Sequence, residues 1–449
     1  GLGEGVSVGP AEVELEVTRD ARGRALSAGV AWADGTASAW LGRAPDAADW
    51  EVELRWSALP LAPLAQAVRP GLIHGGQTWG ELTRDGEGLR FDVTVADVEL
   101  TWKRLSPEPI GPWRIRAKGP ELVVLLGSRE RARLEVTASL PLADAGDFAI
   151  ASVLAPTSFQ ELLAALPDEL APREDVGHID GPISATLEAR GPLHDRAAWE
   201  VEASLDLEAL RQQARASSRS PLASSFLHRP LVDEEARGRQ VQVGPENPFY
   251  VPLGEVPRIL ERAVLLSEDS FFHTHPGFDV PSLVKNLLTP KEGPVVRGGS
   301  TLTQQLAKNL YLSREKTFAR KAREALLTIA LEASLPKDRL LEIYLNVIEW
   351  GPDVYGVGEA AWHYFGKDAR RLTTREAVFL ATIIPNPIRY HGYCSRNALT
   401  PVWEERMADL IAKLASSGEL DPVAEAMARY ETLSFQHRPR SEAFFFDDG

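Results

Sequence analysis

The segment Ser267-Glu268-Asp269-Ser270-Phe271-Phe272-His273-Thr274-His275-Pro276-Gly277 sets two carboxylates beside two phenylalanines and two histidines. A carboxylate in partly dry surroundings has a raised pKa and can serve as a general base near neutral pH. Neighbours on a helix lie about 100° apart around its axis, so Glu268 and Asp269 cannot share one direction. One is expected to do chemistry and the other to orient or cap. A second group, Gly298-Gly299-Ser300-Thr301-Leu302-Thr303-Gln304-Gln305, opens on a glycine pair that permits close backbone approach. Ser300 is the expected N-cap of a helix there. On that helix Thr301, Gln305 and Lys308 share a polar face, while Leu302, Leu306 and Leu310 share an apolar one. Its N-terminus would favour a phosphate. A third group, Arg320-Lys321-Ala322-Arg323-Glu324, could face an anion with its basic residues. Taken singly, each group has a plain structural explanation: solvated acids at a helix end, a capped amphipathic helix, and a surface ion pair worth about 0.3–0.5 kcal/mol.

The elements that must position these groups change character along the chain. Over the first ~210 residues, apolar side chains recur with period two, as in Val13-Leu15-Val17, Trp50-Val52-Leu54-Trp56, Leu89-Phe91-Val93-Val95, Trp113-Ile115-Ala117, Leu134-Val136-Ala138 and Trp199-Val201-Ala203. This predicts half-buried antiparallel strands. Short helices are expected near 61–68 and 158–166. Residues 212–246, rich in Ser, Pro and charge, read as a linker. From Pro257 the period becomes helical, with apolar faces at Ile259-Ala263-Leu266, Leu326-Ile329-Ala330-Ala333, Leu340-Ile343-Tyr344 and Val378-Leu380-Ala381-Ile384. The expected fold class is therefore α+β in two domains, an antiparallel β domain followed by a mainly α domain. The expected boundaries are 1–211 (β-rich), 212–246 (linker), 247–415 (helical domain) and 416–449 (C-terminal helix and tail). The long amphipathic strands resemble AsmA-like β-groove modules of the bacterial envelope, and envelope docking or lipid contact is the role expected of them.

The chain has 449 residues and a formal net charge of −15, which argues against nucleic acid as a general partner. The lone cysteine, Cys394, cannot form an internal disulfide and is expected to be a buried free thiol. No apolar run reaches the ~18 residues that crossing a membrane needs. With Gly1 first and no leader-like segment, an anchor lying upstream of the chain is the expectation. His273-x-His275 has no third ligand at clear spacing, so no metal site is assigned. Gly1, Gly3 and Gly5 follow no strand and are not a nucleotide loop.

In order, the chain carries Glu-Asp-x-x-Phe-x-x-His-x-Gly, Gly-Gly-Ser-Thr-x-Thr-Gln-Gln-x-x-Lys-Asn, Arg-Lys-x-x-Glu, Lys337-x-Arg339-x-Leu341-Glu342-x-Tyr344-Leu345-Asn346, and Ala360-Ala361-x-x-Tyr364-Phe365-Gly366-Lys367. This succession, from about Val251 to Tyr390, closely resembles glycosyltransferase family 51, the peptidoglycan glycosyltransferases. Ile348-Glu349-Trp350-Gly351 and Pro385-Asn386-Pro387 look nearest to the monofunctional type. The resemblance implies a lysozyme-like helical domain at the periplasmic face of the cytoplasmic membrane, in the bacterial cell envelope. It implies polymerisation of lipid II into β-1,4 glycan with release of undecaprenyl pyrophosphate. Carried over, Glu268 would be the base for the acceptor 4-hydroxyl, and Glu324 a second acid at the donor side. Lys308, Arg320 and Lys321 would hold the pyrophosphate. Asp269, Phe272, His275, Gly298, Gly299, Ser300, Thr301, Gln304, Gln305 and Asn309 would shape the substrate site. No cofactor is required, though a divalent cation (Mg or Mn) at the pyrophosphate is allowed. The implied partners are lipid II, the growing strand, the membrane surface and cell-wall synthesis proteins.

Two departures bear on membrane docking: Val280 to Val296 is only moderately apolar, and Glu359 places a charge on a small-residue helix. Ser282-x-x-Lys285 and Ser395-x-Asn397 lack a Lys-Thr-Gly partner, so no transpeptidase is expected. A competing expectation is an inert transglycosylase-like domain serving as an envelope scaffold or lipid-binding protein. A glycan-cleaving relative is disfavoured by the Gly-Gly-Ser-Thr and Arg-Lys-x-x-Glu blocks.

Overall fold

The computed structural model describes residues 12–20, 23–32, 35–43, 51–61, 73–85, 88–100, 113–118, 121–126, 131–139, 147–166, 168, 170–172, 179–192, 195, 198–217, 220–230, 239–280, 300–313, 317–394 and 399–445. Several expectations lie outside these residues: most of the helix near 61–68, the apolar stretch 281–296, Gly298 and Gly299, and Gly1 to Gly5. The Cys394 side chain lies outside them as well.

The N-terminal part is one antiparallel sheet in which each strand pairs with the next in sequence. Its strands are β1 (Glu12–Asp20), β2 (Gly23–Trp32), β3 (Gly35–Arg43), β4 (Glu51–Pro60), β5 (Ile73–Asp85), β6 (Gly88–Leu100), β7 (Trp113–Lys118), β8 (Glu121–Leu126), β9 (Ala132–Ser139), β10 (Phe148–Ser158), β11 (Pro182–Gly191) and β12 (Glu200–Asp206). The period-two runs fall on β1, β4, β6, β7, β9 and β12, except that Trp199 precedes β12 and Trp50 lies outside the described residues. Strands β2, β3, β5, β8, β10 and β11 carry none of the runs named above; in β2 and β3 alanine, glycine and serine occupy both faces and blur the alternation.

Register sorts the faces. Leu26 pairs with Leu41, Leu41 with Val52, Leu54 with Leu82, Leu82 with Phe91, Val95 with Ile115, and Ile115 with Val124. Val124 pairs with Leu134, Leu134 with Leu154, and Ala185 with both Leu154 and Leu205. Since cross-strand partners share a face, these residues form one continuous apolar surface. The other face carries charge, including the Arg55–Glu53, Arg133–Glu135 and Arg190–Glu200 pairs. Among the described residues, the apolar face is covered at one end. There Ala132 and Ile183, with Trp113, Val124, Leu154 and Leu205 against them, join a core with α1 (Phe159–Ala165), α2 (Glu208–Ser217) and α5 (Phe318–Ser334). Farther along, Leu26, Leu41 and Leu54 stand 41%, 37% and 37% exposed.

The C-terminal part is helical: α3 (Arg258–Glu268), α4 (Leu302–Tyr311), α5, α6 (Lys337–Val347), α7 (Val357–Phe365), α8 (Thr374–Ile383), α9 (Pro387–Cys394), α10 (Pro401–Ser416) and α11 (Pro422–Tyr430). The structure is thus a mixed fold, with antiparallel sheet first and helices after. Helices α3, α4, α6, α7, α8 and α10 enclose the main core. That core also takes in Leu222 and Val243 from the segment expected as a linker, and Phe435 from the expected tail. Asn346 fixes the segment before α3: its side chain accepts from Val251 N at 3.0 Å and donates to Val251 O at 2.9 Å. Glu359 is buried against Arg239 and so lies in the protein interior. Among the described residues, no helix is long and apolar enough to cross a membrane.

Candidate active site

Helix α3 ends at Glu268 and delivers it to the junction of α4 and α6. One carboxylate oxygen accepts from Gln305 Nε2 at 3.0 Å, and Gln305 Oε1 in turn accepts from Tyr344 Oη at 3.0 Å. Burial pushes the Glu268 carboxyl above its usual 4.5, while Gln305, Ser267 and Arg406 oppose that shift. Tyr344 is fully buried and held well above its usual phenol range by that burial and by the nearby acids. The amide of Gln305 therefore spans a part-buried base and a buried phenol that stays protonated. Replacing Gln305 with Ala removes a hydrogen bond to the ionised carboxylate, so the Glu268 pKa should rise further. The acid limb of the pH–rate profile should move to higher pH, which kcat/KM against pH will show.

Asp269 takes the orienting role. One oxygen lies 2.8 Å from His275 Nε2, and the other accepts from Leu302 N at 2.9 Å, at the start of α4. His275 Nδ1 accepts from Gly277 N at 3.1 Å, which leaves Nε2–H to face Asp269. Phe272 is buried beneath the Lys337 ammonium, 4.4 Å from the ring centre, whereas Phe271 is 62% exposed. Neither ring lines the cleft described below.

The cap of α4 is Thr301, one residue later than Ser300. Thr301 and Gln304 exchange side chain-to-backbone hydrogen bonds in a capping box. Ser300 has Thr303 three residues on, which cannot make the return bond, whereas Thr301 has Gln304. Thr301 Oγ1 also donates to Gly277 O at 2.6 Å, tying the cap to the turn after His275.

A cleft of about 480 Å³ opens beside these groups, lined by Ser300, Gln304, Gln305, Lys308, Asn309, Arg320, Lys321, Glu324 and Tyr344. Its far wall is Glu349, Tyr355 and the run from Ile384 to Ile388, with His228 at one side. Glu268 stands behind Gln305 and does not line it. Glu324 is only 2% exposed, and both of its oxygens accept from cations, one from Arg320 at 2.9 Å and the other from Lys321. Lys321 also donates to Ser300 Oγ at 3.2 Å. The pair expected on a helix surface is thus a triad on the cleft wall, in which a buried Glu324 accepts from a largely covered Arg320 and from Lys321, whose side chain is 47% exposed. Its net charge is positive, which suits an anionic ligand.

The transglycosylase family matches residues 236–414, a span that contains Glu268, Asp269 and every cleft residue named above except His228. The biosynthetic peptidoglycan transglycosylase of Herminiimonas arsenicoxydans is 39% identical over 202 residues, covering 45% of this chain and 84% of its own. The chain belongs to the transglycosylase family. Relatives with the same name from Aromatoleum aromaticum and Chromobacterium violaceum are each 43% identical, over 172 and 199 residues, covering 38% and 42% of this chain and 74% and 83% of theirs. The crystal structure of penicillin-binding protein 1A from Haemophilus influenzae overlaps 47% of this chain and 22% of its own at TM-score 0.25 and 20% identity, too distant to carry an argument.

Within the transglycosylase region, two groups escaped the sequence reading. Tyr344 was read as part of a core helix face, and its tie to Gln305 depends on how α6 packs on α4. Glu332 lies in the apolar run Leu331-Glu332-Ala333, where nothing local marks it. Yet it is 2% exposed and accepts from Thr303 at 2.6 Å, Lys337 at 2.7 Å and Arg211 at 3.2 Å. Four helices meet on that one carboxylate.

Proposed function

We propose that the chain polymerises lipid II into β-1,4 glycan strands, releasing undecaprenyl pyrophosphate, for cell-wall synthesis. The observation that carries this reading is a part-buried carboxylate with raised pKa set one amide away from a cleft that gathers Lys308, Arg320 and Lys321. Glu268 takes the proton of the acceptor sugar's 4-hydroxyl as that oxygen attacks the donor's anomeric carbon with inversion. The bond to the pyrophosphate breaks, and the basic residues stabilise its developing charge. Glu324 spends both oxygens on Arg320 and Lys321, so it acts by aiming them at the pyrophosphate. Gln305 and Tyr344 hold Glu268, and Asp269 and His275 hold the start of α4.

A protein-held Mg or Mn does not fit this donor set. A cation at Glu324 would have to displace both ammonium and guanidinium. No step is routed through a metal. An inert scaffold is not favoured, because Glu324 and the basic groups line a formed cleft and Glu268 stands one amide behind it. Incubating the chain with lipid II tests the reading: glycan polymer is expected, and absence of product, or shortening of preformed glycan instead, overturns it.

We read the helical part as a lysozyme-like domain at the periplasmic face of the cytoplasmic membrane and the sheet as a separate domain. The uncovered apolar face of the sheet is read as a bed for the hydrocarbon chain of a long-chain lipid. Continuity supports this: Trp113, at one end of that face, packs with the Ala319 cluster and Ala322, next to Lys321 on α5. A chain lying along the sheet would lead to the helix that carries the basic residues. The double variant Leu41→Glu, Leu54→Glu places charge mid-face. It should lose binding to a fluorescent polyprenyl diphosphate while still polymerising a short-chain, water-soluble substrate. Unchanged binding would remove this role for the sheet.

A further inference from the structure

We propose that His363, His391 and His437 form a binding site for a single divalent transition-metal ion of the zinc type, away from the cleft residues described above. Each histidine offers one ring nitrogen, and these nitrogens all lie within 4.8 Å of one another. His363 Nε2 and His391 Nε2 are 3.1 Å apart. Two imidazole nitrogens sharing a tetrahedral zinc at about 2.0–2.1 Å sit roughly 3.3–3.4 Å apart, so little movement is needed. The three rings form a near-regular triangle, with centres 5.3, 5.6 and 5.6 Å apart.

The surroundings suit a ligand set. His363 Nδ1 lies 3.1 Å from the carbonyl of Arg438. That carbonyl can only accept, so the proton belongs on Nδ1 and Nε2 presents its lone pair to the cluster. Metal-bound histidines are typically oriented in this way by a backbone carbonyl. Without an ion, His391 Nε2–H donates to His363. On binding, His391 moves its proton to Nδ1, and no base is required.

The three histidines come from separate parts of the chain: α7, α9 and the C-terminal segment. That segment is already laid along the end of α7, where Gln436 N donates to Tyr364 O at 2.8 Å and Arg438 N to His363 O at 3.0 Å. Helix α9 begins at Pro387, in the far wall of the cleft. The ion would therefore fasten the C-terminal segment and the cleft wall to α7. A borderline ion such as Zn²⁺ suits three imidazoles better than Mg²⁺ or Ca²⁺, which take oxygen ligands.

The test is calorimetric titration of the full chain with Zn²⁺ alone, beside His437→Ala, His391→Ala and the exposed control His273→Ala. One Zn²⁺ per chain is expected for wild type and control. The two cluster variants should lose more than the roughly 10–100-fold that removal of a mere orienting partner costs. Co²⁺ should give the visible absorption of a tetrahedral nitrogen site in wild type and not in His437→Gln, whose fold is checked by circular dichroism. Zinc uptake that is absent from wild type, or equally tight in all the variants, overturns the proposal.

Discussion

Glu268→Gln is expected to bring lipid II polymerisation down by about 10²–10⁴-fold, the range that a positioned base contributes. Gln keeps the shape of the side chain and can still meet Gln305, but it cannot accept the acceptor's proton. The same substitution should not weaken the fold. Because burial raises the folded pKa of Glu268, its ionisation is disfavoured in the native state. By linkage, the associated stability is fully present below the unfolded pKa and lost as pH rises from there through the raised folded value. At neutral pH the wild type carries that cost and the Gln variant does not. Thermal unfolding at pH 7 should find Glu268→Gln at least as stable as wild type, and the two should converge at acid pH. A dead enzyme that is also strongly destabilised would point to a structural carboxylate and sink the assignment.

Glu332→Ala should have the largest effect on stability, about 3–5 kcal/mol, as expected when one member of a buried charge network is removed. Thr303, Lys337 and Arg211 would lose their shared acceptor, and Lys337 and Arg211 would be left facing each other without a counter-charge. Burial already lowers the Lys337 pKa, and loss of Glu332 removes the main influence opposing that shift. Glu332→Gln, which keeps an acceptor oxygen, should fall between wild type and Ala. Urea unfolding measures both. Because Arg211 belongs to α2, beside the sheet, the Ala variant should also loosen the seam between sheet and helices. Limited proteolysis near Arg211 should then quicken. An Ala variant within about 1 kcal/mol of wild type would show that the network is not a structural keystone.

What was legible in the sequence was what is local or ordered. Period two marked the strands that alternate cleanly, and it failed at β2 and β3, where small residues occupy both faces. The acid pair, the Thr-x-x-Gln box and the Arg-Lys-x-x-Glu group are short-range patterns, and their order along the chain pointed to the family. Ser300 directly follows the glycine pair and has the hydroxyl a cap needs. The return bond that decides between Ser300 and Thr301 belongs to Gln304.

Tertiary structure decided the rest, because burial and charge pairing are properties of packing. The sequence by itself established that Glu268 and Asp269 must point apart, and packing showed Asp269 at the head of α4 and Glu268 against Gln305. It supplied Arg320, Lys321 and Glu324 as neighbours on a helix, and packing buried Glu324 and set both cations on it beside the cleft. Glu332 in an apolar run, and three histidines dispersed between residues 363 and 437, carried no local mark at all. Only the crossing of distant elements gives such groups partners, and with them a definite charge state and direction.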